Sequence, residues 1–414
     1  MSNQNINYGE GGAASCVLVP PFNCDGKNYD ENYISKIASI SNSGIEETIK
    51  RELILSEILK NKRKGKNKKF IDDHFIIIDD HCILDKTNKN LNILNKRGCN
   101  IDVEQKYVVL YSKNGSCKPL KKGDIVSIDY QNMSKLLGII PYKFIGKYGD
   151  KYIIQNTDNE LFLSDKITRF CGDLGNYNIL HKLFSEPKKR RKYIKHLIEA
   201  INFMAKNGLV HCDLKLQNLV CNEKEQLKII DFGGSFSLKD KKYFNFDNIC
   251  QEIKIDDEFT INKRTQYNTN FTNKILDLVS IHTEYYTPPE ILILKLILIN
   301  KTQEEILQHI LKTYNLENDF LITDNITKII RFIMLNKKKM FYELQCNPTV
   351  ESFIYKFDTF SMGIIFREMF KILNHNFNVI IEDSLKDLIQ KMTDLNFNTR
   401  LNIKQILKHK YFSK

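Results

Sequence analysis

Apolar positions recur along the chain at spacings that divide it into distinct elements. Tyr193, Ile194, Leu197, Ile198, Ile201, Met204 and Ala205 fall at helical spacing, which predicts a helix with one buried face, and Asn207-Gly208 supplies its stop. Beyond that stop, Leu219 to Ile230 reads as strand, polar turn, strand, a hairpin that brings Asn218 and Asp231 to the same end. Near the start, Tyr8 to Val19 reads as a glycine-rich turn running into a strand. Gly44 to Leu59 is strongly amphipathic and helical, and Phe75-Ile76-Ile77-Ile78 reads as a buried strand. From about residue 85 to 165, strand-like runs (Tyr107-Val108-Val109-Leu110, Tyr152-Ile153-Ile154, Leu161-Phe162-Leu163) alternate with polar turns. Helical patterning returns in Glu304 to Leu311 and in Ile326 to Met334, and a last helix ends at His409-Lys410-Tyr411-Phe412. The longest aliphatic run, Ile291 to Ile299, is broken by Lys295 and is far too short to span a bilayer.

Composition narrows the picture. A chain of 414 residues can bury a substantial core and suggests two or three domains or lobes. Its net charge of +12 favours acidic partners only loosely, because heavy use of Lys, Asn and Ile with no Trp also fits an AT-rich genome. Ten cysteines contain no C-x-x-C pair, so neither a zinc knuckle nor a disulfide framework is expected. Met1 to Tyr8 lacks the apolar stretch of a signal peptide, and a reducing, cytoplasmic setting is the expectation, with no membrane partner. The basic run Lys60 to Lys69 contains no aromatic residue for stacking. It is read as a solvated loop, and nucleic acid is not expected as a partner.

The candidate chemistry sits mid-chain. His211-Cys212-Asp213-Leu214-Lys215-Leu216-Gln217-Asn218, followed by Ile230-Asp231-Phe232-Gly233, sets two carboxylates, an amide and an amine at spacings that suit metal-assisted phosphoryl transfer. Magnesium takes oxygen ligands, typically one or two carboxylates plus substrate phosphates, and Asp231 and Asn218 can supply them. Asp213 can orient and deprotonate a hydroxyl, and Lys215 can neutralise charge on the moving phosphate.

H-x-D-x-x-x-x-N followed by D-F-G after one short hairpin resembles the signature of the eukaryotic-type protein kinases. That resemblance implies an α+β fold of two lobes: a small β-rich N-lobe over 1–170 and a larger helical C-lobe over 171–414. Insertions are expected at about 85–165, 240–280 and 292–350. It also implies transfer of the ATP γ-phosphate, with Mg2+, to a serine or threonine hydroxyl of a protein substrate. Gly9, Gly11, Gly12, Ser15 and Val17 would approach the phosphates, although the glycine pattern departs from the family's. Tyr33-Ile34-Ser35-Lys36 stands where the family has V-A-I-K, so Lys36 would bind the α- and β-phosphates, and bulky Ile34 would lie over the adenine. With Pro20, Pro21 and Cys24, this end resembles Ser/Thr kinases of large DNA viruses, which places the expected setting in host cytoplasm or virion.

Further assignments follow from the same resemblance. Glu52 is the expected partner of Lys36, ahead of Glu47, and Ser56 stands where the family has an apolar residue. Val220 would line the nucleotide. Asp173 would bond the ribose or, equally, cap a helix. His282 to Glu290, ending P-P-E, resembles the end of an activation segment, with Thr283 bonding Asp213 and Lys215, which favours Ser/Thr specificity. Asp358 would anchor the catalytic loop, and Glu290 and Arg400 would form a buried ion pair. Cys212 replaces an arginine that pairs with a phosphate on the activation loop, so activity without loop phosphorylation is expected. Two other readings stay open: a pseudokinase scaffold, against which Lys36, Asp213 and Asp231 are all present, and a small-molecule kinase, against which P-P-E, Asp358 and Arg400 stand.

Overall fold

The structure, a computed structural model, describes residues 6–7, 14–19, 21–24, 26–30, 32–40, 43–97, 99, 101–113, 125–127, 142–148, 151–155, 161–164, 168–169, 172–222, 224–237, 283–316, 320–345 and 353–413. Two compact units are present, Met1–Tyr193 with Leu216–Gly233 and Ile372–Val379, and Ile194–Lys215 with Gly234–Lys371 and Ile380–Lys414.

The first unit opens with β1 (Ile6–Asn7), β2 (Ala14–Val19), β3 (Tyr33–Ser39), α1 (Ser43–Lys62), α2 (Lys66–His74), β4 (Ile78–Ile83), α3 (Asn88–Lys96) and β5 (Tyr107–Lys113). Its antiparallel sheet has the order β1-β2-β3-β5-β4. Every residue of β5 but the last is buried, as a central strand covered on both faces requires. Tyr107, Val109 and Tyr111 face one apolar cluster with Leu18 and Ile37, while Val108 and Leu110 face another with Ile49 of α1. Part of the stretch 85–165, expected as an insertion, thus supplies an interior strand of this sheet, between β3 and β4. The strand placed at Phe75 begins later, at Ile78; Phe75 makes only an isolated bridge to Ile229.

Cys24 and Cys82 form a disulfide, correcting the expectation of none, and Cys99 is also disulfide-bonded. The two cysteines lie 58 residues apart in sequence. Strand pairing brings them together, and no spacing rule would reveal it. Closing a loop of that length typically contributes about 2–4 kcal/mol by restricting the unfolded chain. Replacing both by serine is expected to lower the thermal midpoint by several degrees; an unchanged midpoint in non-reducing buffer would show that the crosslink carries no stability. The basic run Lys60 to Lys69 covers the end of α1, a turn and the start of α2, with Arg63 paired to Asp72 at 2.5 Å and Lys69 to Asp73 at 2.7 Å.

A second antiparallel sheet, order β10-β6-β7-β8-β9, comprises β6 (Ile125–Ser127), β7 (Tyr142–Tyr148), β8 (Lys151–Gln155), β9 (Leu161–Ser164) and β10 (Thr168–Arg169). Next come β11 (Gly172–Asp173), α4 (Tyr177–Phe184), α5 (Pro187–Lys206) and β12 (Leu209–Val210). The helix α5 ends where Asn207-Gly208 predicts, with Gly208 at φ 75°. The hairpin β13 (Leu219–Cys221) and β14 (Leu227–Ile229) pairs with β11, and β15 (Phe236–Ser237) pairs with β12.

The second unit is mainly helical, with α6 (Pro289–Leu298), α7 (Gln303–Tyr314), α8 (Phe320–Gln345), α9 (Lys356–Phe377), α10 (Asp383–Met392) and α11 (Ile403–Leu407). Thr302 and Glu305 cap α7 with a reciprocal capping box, and Asn315 ends it in the left-handed conformation. Among the described residues, no helix is long and apolar enough to cross a membrane.

Candidate active site

In the first unit the site is built on β3 and α1. Glu52, Leu55, Ser56 and Leu59 are buried along one face of α1 at the i, i+3, i+4, i+7 spacing, so the face that packs inward also carries a carboxylate. Ser56 departs from the family pattern to a purpose: its hydroxyl accepts the backbone N–H of Ile78 at 3.0 Å and ties α1 to β4. Lys36, paired in register with Val17 of β2, extends its amine to 3.0 Å from Glu52 Oε2 and 3.8 Å from Asp231 Oδ1. Burial alone would lower its pKa, but the two carboxylates outweigh burial and hold it above the ordinary lysine range. The amine is therefore a fixed cation between two anions.

Asp231 follows β14 with φ 64°, a left-handed backbone that aspartate tolerates better than most side chains. Ile230 N–H donates to the Asn218 carbonyl at 3.0 Å, which places the amide and the carboxylate on neighbouring strands of chain. Asn218 is buried and ends a single 3-10 turn. Phe232 is buried with its ring 6.2 Å from that of Phe75. A Cβ on Gly233 would stand 2.4 Å from the Thr48 methyl of α1, so only glycine lets the chain pass so close. Both Asp231 and Asn218 offer hard oxygen donors, which fits magnesium; among the described residues no cluster of three His, Cys, Asp or Glu could hold a metal without help from a ligand.

Other nucleotide candidates are placed as follows. Gly9, Gly11 and Gly12 lie outside the described residues, as do the side chains of Ser15 and Glu47. The backbone of Ser15 sits at a bulge between Ala14 and Cys16 in the β2–β3 pairing. Val17 and Ile34 are half-buried. Val220 is buried and pairs with Asp173 across β13 and β11. The carboxylate of Asp173 accepts Gly175 N–H at 2.7 Å, and burial nevertheless pushes its pKa up. Asp173 is not a helix cap; Asn176 caps α4 instead, accepting the N–H groups of Asn178 and Ile179.

The second unit holds the loop from His211 to Lys215. His211 and Cys212 are buried, and their N–H groups donate to the two oxygens of Asp358 on α9, at 2.8 and 3.0 Å. Cys212 adopts φ 63°, which lets two successive amides point at one carboxylate. Burial raises the Asp358 pKa, against the two N–H bonds and the His211 charge. Asp213 lies next along the loop, with Lys215 Nζ 2.8 Å from one oxygen and Thr283 Oγ1 3.4 Å from the other. Glu290 and Arg400 form a fully buried bidentate pair at 2.6 and 2.9 Å. The sequence did not mark Tyr286, whose hydroxyl donates to Glu368, or Ser361, whose hydroxyl donates to the Tyr286 carbonyl at 2.8 Å. Burial, and then the Glu368 carboxylate, raise the Tyr286 pKa, so it stays a donor.

Residues 151–305 match the family model for the protein kinase domain. That range contains the catalytic loop, Asp231 and Glu290, and leaves out Lys36, Glu52, Asp358 and Arg400. The chain is 42% identical over 122 residues to hormonally up-regulated neu tumor-associated kinase homolog B of Xenopus laevis, covering 28% of this chain and 18% of that protein. It is 37% identical over 57 residues to a probable serine/threonine-protein kinase, the KIN1 homolog of Enterocytozoon bieneusi, covering 14% of this chain and 10% of that protein. To the probable serine/threonine-protein kinase MARK-C of Dictyostelium discoideum it is 28% identical over 154 residues, covering 36% and 18%. The chain spans less than a fifth of the length of these curated relatives. Together the matches support a protein kinase of the eukaryotic-type superfamily with an α+β fold.

Proposed function

We propose that this chain is an active serine/threonine protein kinase that transfers the ATP γ-phosphate to a protein hydroxyl. The observation that carries the reading is the Lys36 amine held between Glu52 and Asp231. A lysine clamped in this way has no freedom to lose when it meets a triphosphate. Lys36 binds the α- and β-phosphates. Asp231 and Asn218 hold magnesium, which draws charge off the phosphate oxygens when bound. Asp213 orients the acceptor hydroxyl and takes its proton, Lys215 balances the charge that develops, and Thr283 fixes the Asp213 carboxylate. The names of the relatives and Thr283 beside Asp213 favour serine or threonine over tyrosine. The resemblance at Pro20, Pro21, Cys24 and Lys36 favours a kinase of a large DNA virus.

The test is turnover of γ-labelled Mg-ATP on a generic basic protein, followed by phosphoamino-acid analysis. Label on serine or threonine is expected. No label with any acceptor would leave the pseudokinase scaffold as the better reading. Lys36→Met is expected to lower kcat/KM for ATP by about 10²–10³-fold, as loss of a fixed charge at a phosphate does; a rate within threefold of wild type would remove Lys36 from the nucleotide site.

A further inference from the structure

We propose that Tyr314 and His309, on the helix α7 that lies between Glu290 and Asp358, are positioning residues for the phosphate acceptor. This rests on the kinase reading above and deepens it, since neither residue belongs to the motifs that led there.

Thr283 to Thr287 winds into one short turn. Tyr286 N–H donates to the Thr283 carbonyl at 2.9 Å, Thr287 N–H to the Glu284 carbonyl at 3.0 Å, and Thr287 Oγ1 to the Thr283 carbonyl at 3.3 Å. The first residue of that turn carries the hydroxyl 3.4 Å from Asp213. The placement of the hydroxyl is therefore only as firm as the placement of the turn. A single turn does not hold itself in space, because local bonds fix its shape and not its position.

Three helices hold it. From α9 come Ser361 and Glu368. From α7, the Tyr314 hydroxyl donates to the carbonyl of Thr287 at one end of the turn, and near the other His309 Nε2 lies 3.3 Å from Glu284 Oε2, a charge contact without hydrogen-bond geometry. Lys295 of α6 stands 3.5 Å from the second Glu284 oxygen. Packing explains the rest of α7 but not these two groups. Ile306, Leu307, Ile310 and Leu311 are buried at helical spacing, and the Tyr314 ring meets Phe360 edge-on at 5.9 Å. A phenylalanine would fill that space as well. A buried hydroxyl is tolerated only where it finds a partner, and here the partner is a carbonyl of the acceptor turn. The capping box at Thr302 and the left-handed stop at Asn315 fix both ends of α7, so the helix is a rigid mount.

The test uses the full chain, an acceptor peptide phosphorylated by wild type, and separate KM values for peptide and ATP. Tyr314→Phe keeps the ring and removes only the hydroxyl. Its KM for the peptide is expected to rise roughly three- to tenfold, the effect of one hydrogen bond, with the KM for ATP within about twofold. His309→Ala, at a partly exposed position, keeps the assay decisive if the buried variant folds poorly, and should shift the same constant in the same direction. Wild-type turnover with both KM values unchanged in the variants, or changed together, would overturn the positioning role alone. Absence of turnover in wild type would instead overturn the kinase reading.

Discussion

Asp213→Ala is expected to cut phosphoryl transfer by about 10²–10⁴-fold, the usual weight of a positioned acid–base group. The side chain is held on both sides, by Lys215 at 2.8 Å and by Thr283 at 3.4 Å, so its oxygens are aimed before any acceptor arrives. The loop that carries it is anchored one residue earlier, by the N–H groups of His211 and Cys212 on Asp358, and those bonds survive the substitution. Lys215 is partly exposed and can turn to water once its partner is gone. The variant should keep its circular dichroism spectrum and its thermal midpoint while the initial rate with γ-labelled ATP collapses. A rate within tenfold of wild type, in a folded variant, would remove Asp213 from the chemistry and leave the motif as architecture.

The second large effect is on stability. Arg400→Ala should cost about 3–5 kcal/mol, because it strands the Glu290 carboxylate without a counter-charge in a fully buried position. Arg400 does more than pair: its Nε donates to the Asp394 carbonyl at 2.8 Å, and its guanidinium lies 4.7 Å over the Phe360 ring. A lysine supplies charge but not the fork, so Arg400→Lys should fall between wild type and alanine. The readout is the thermal midpoint, expected to drop by roughly 10 °C or more, with a loss of soluble protein. Replacing Glu290 and Arg400 together by apolar residues should recover part of that loss, since the cost lies in the orphaned charge rather than in the absent pair. A single alanine variant that melts with the wild type would show that water reaches the pair.

Particular residues show what periodicity and motif could disclose. The buried stripe from Tyr193 to Ala205 and the stop at Asn207-Gly208 are local properties, written in spacing and in one glycine. Glu52 was reachable only through the family resemblance, which implies a carboxylate partner for Lys36. Ser56 was visible only as an anomaly; its bond to Ile78 joins a helix to a strand, and no local pattern encodes that. The Cys24–Cys82 crosslink and the interior place of β5 have the same character, since both depend on which strands meet. Tyr314 belongs to no motif, because its hydroxyl finds its partner 27 residues away. Gly9, Gly11 and Gly12, prominent in sequence, fall outside the described residues.

Cys212 and Asp231 share a left-handed backbone, with φ of 63° and 64°. Glu225, Asn300, Asn315 and Asn378 adopt it as well; asparagine and aspartate do so at small cost, whereas cysteine gives up about 1–2 kcal/mol. At Cys212 that torsional burden turns two successive amides onto the Asp358 carboxylate. Laboratory evolution for heat resistance alone would find relief at Cys212, and is expected to install there a residue that adopts this backbone freely.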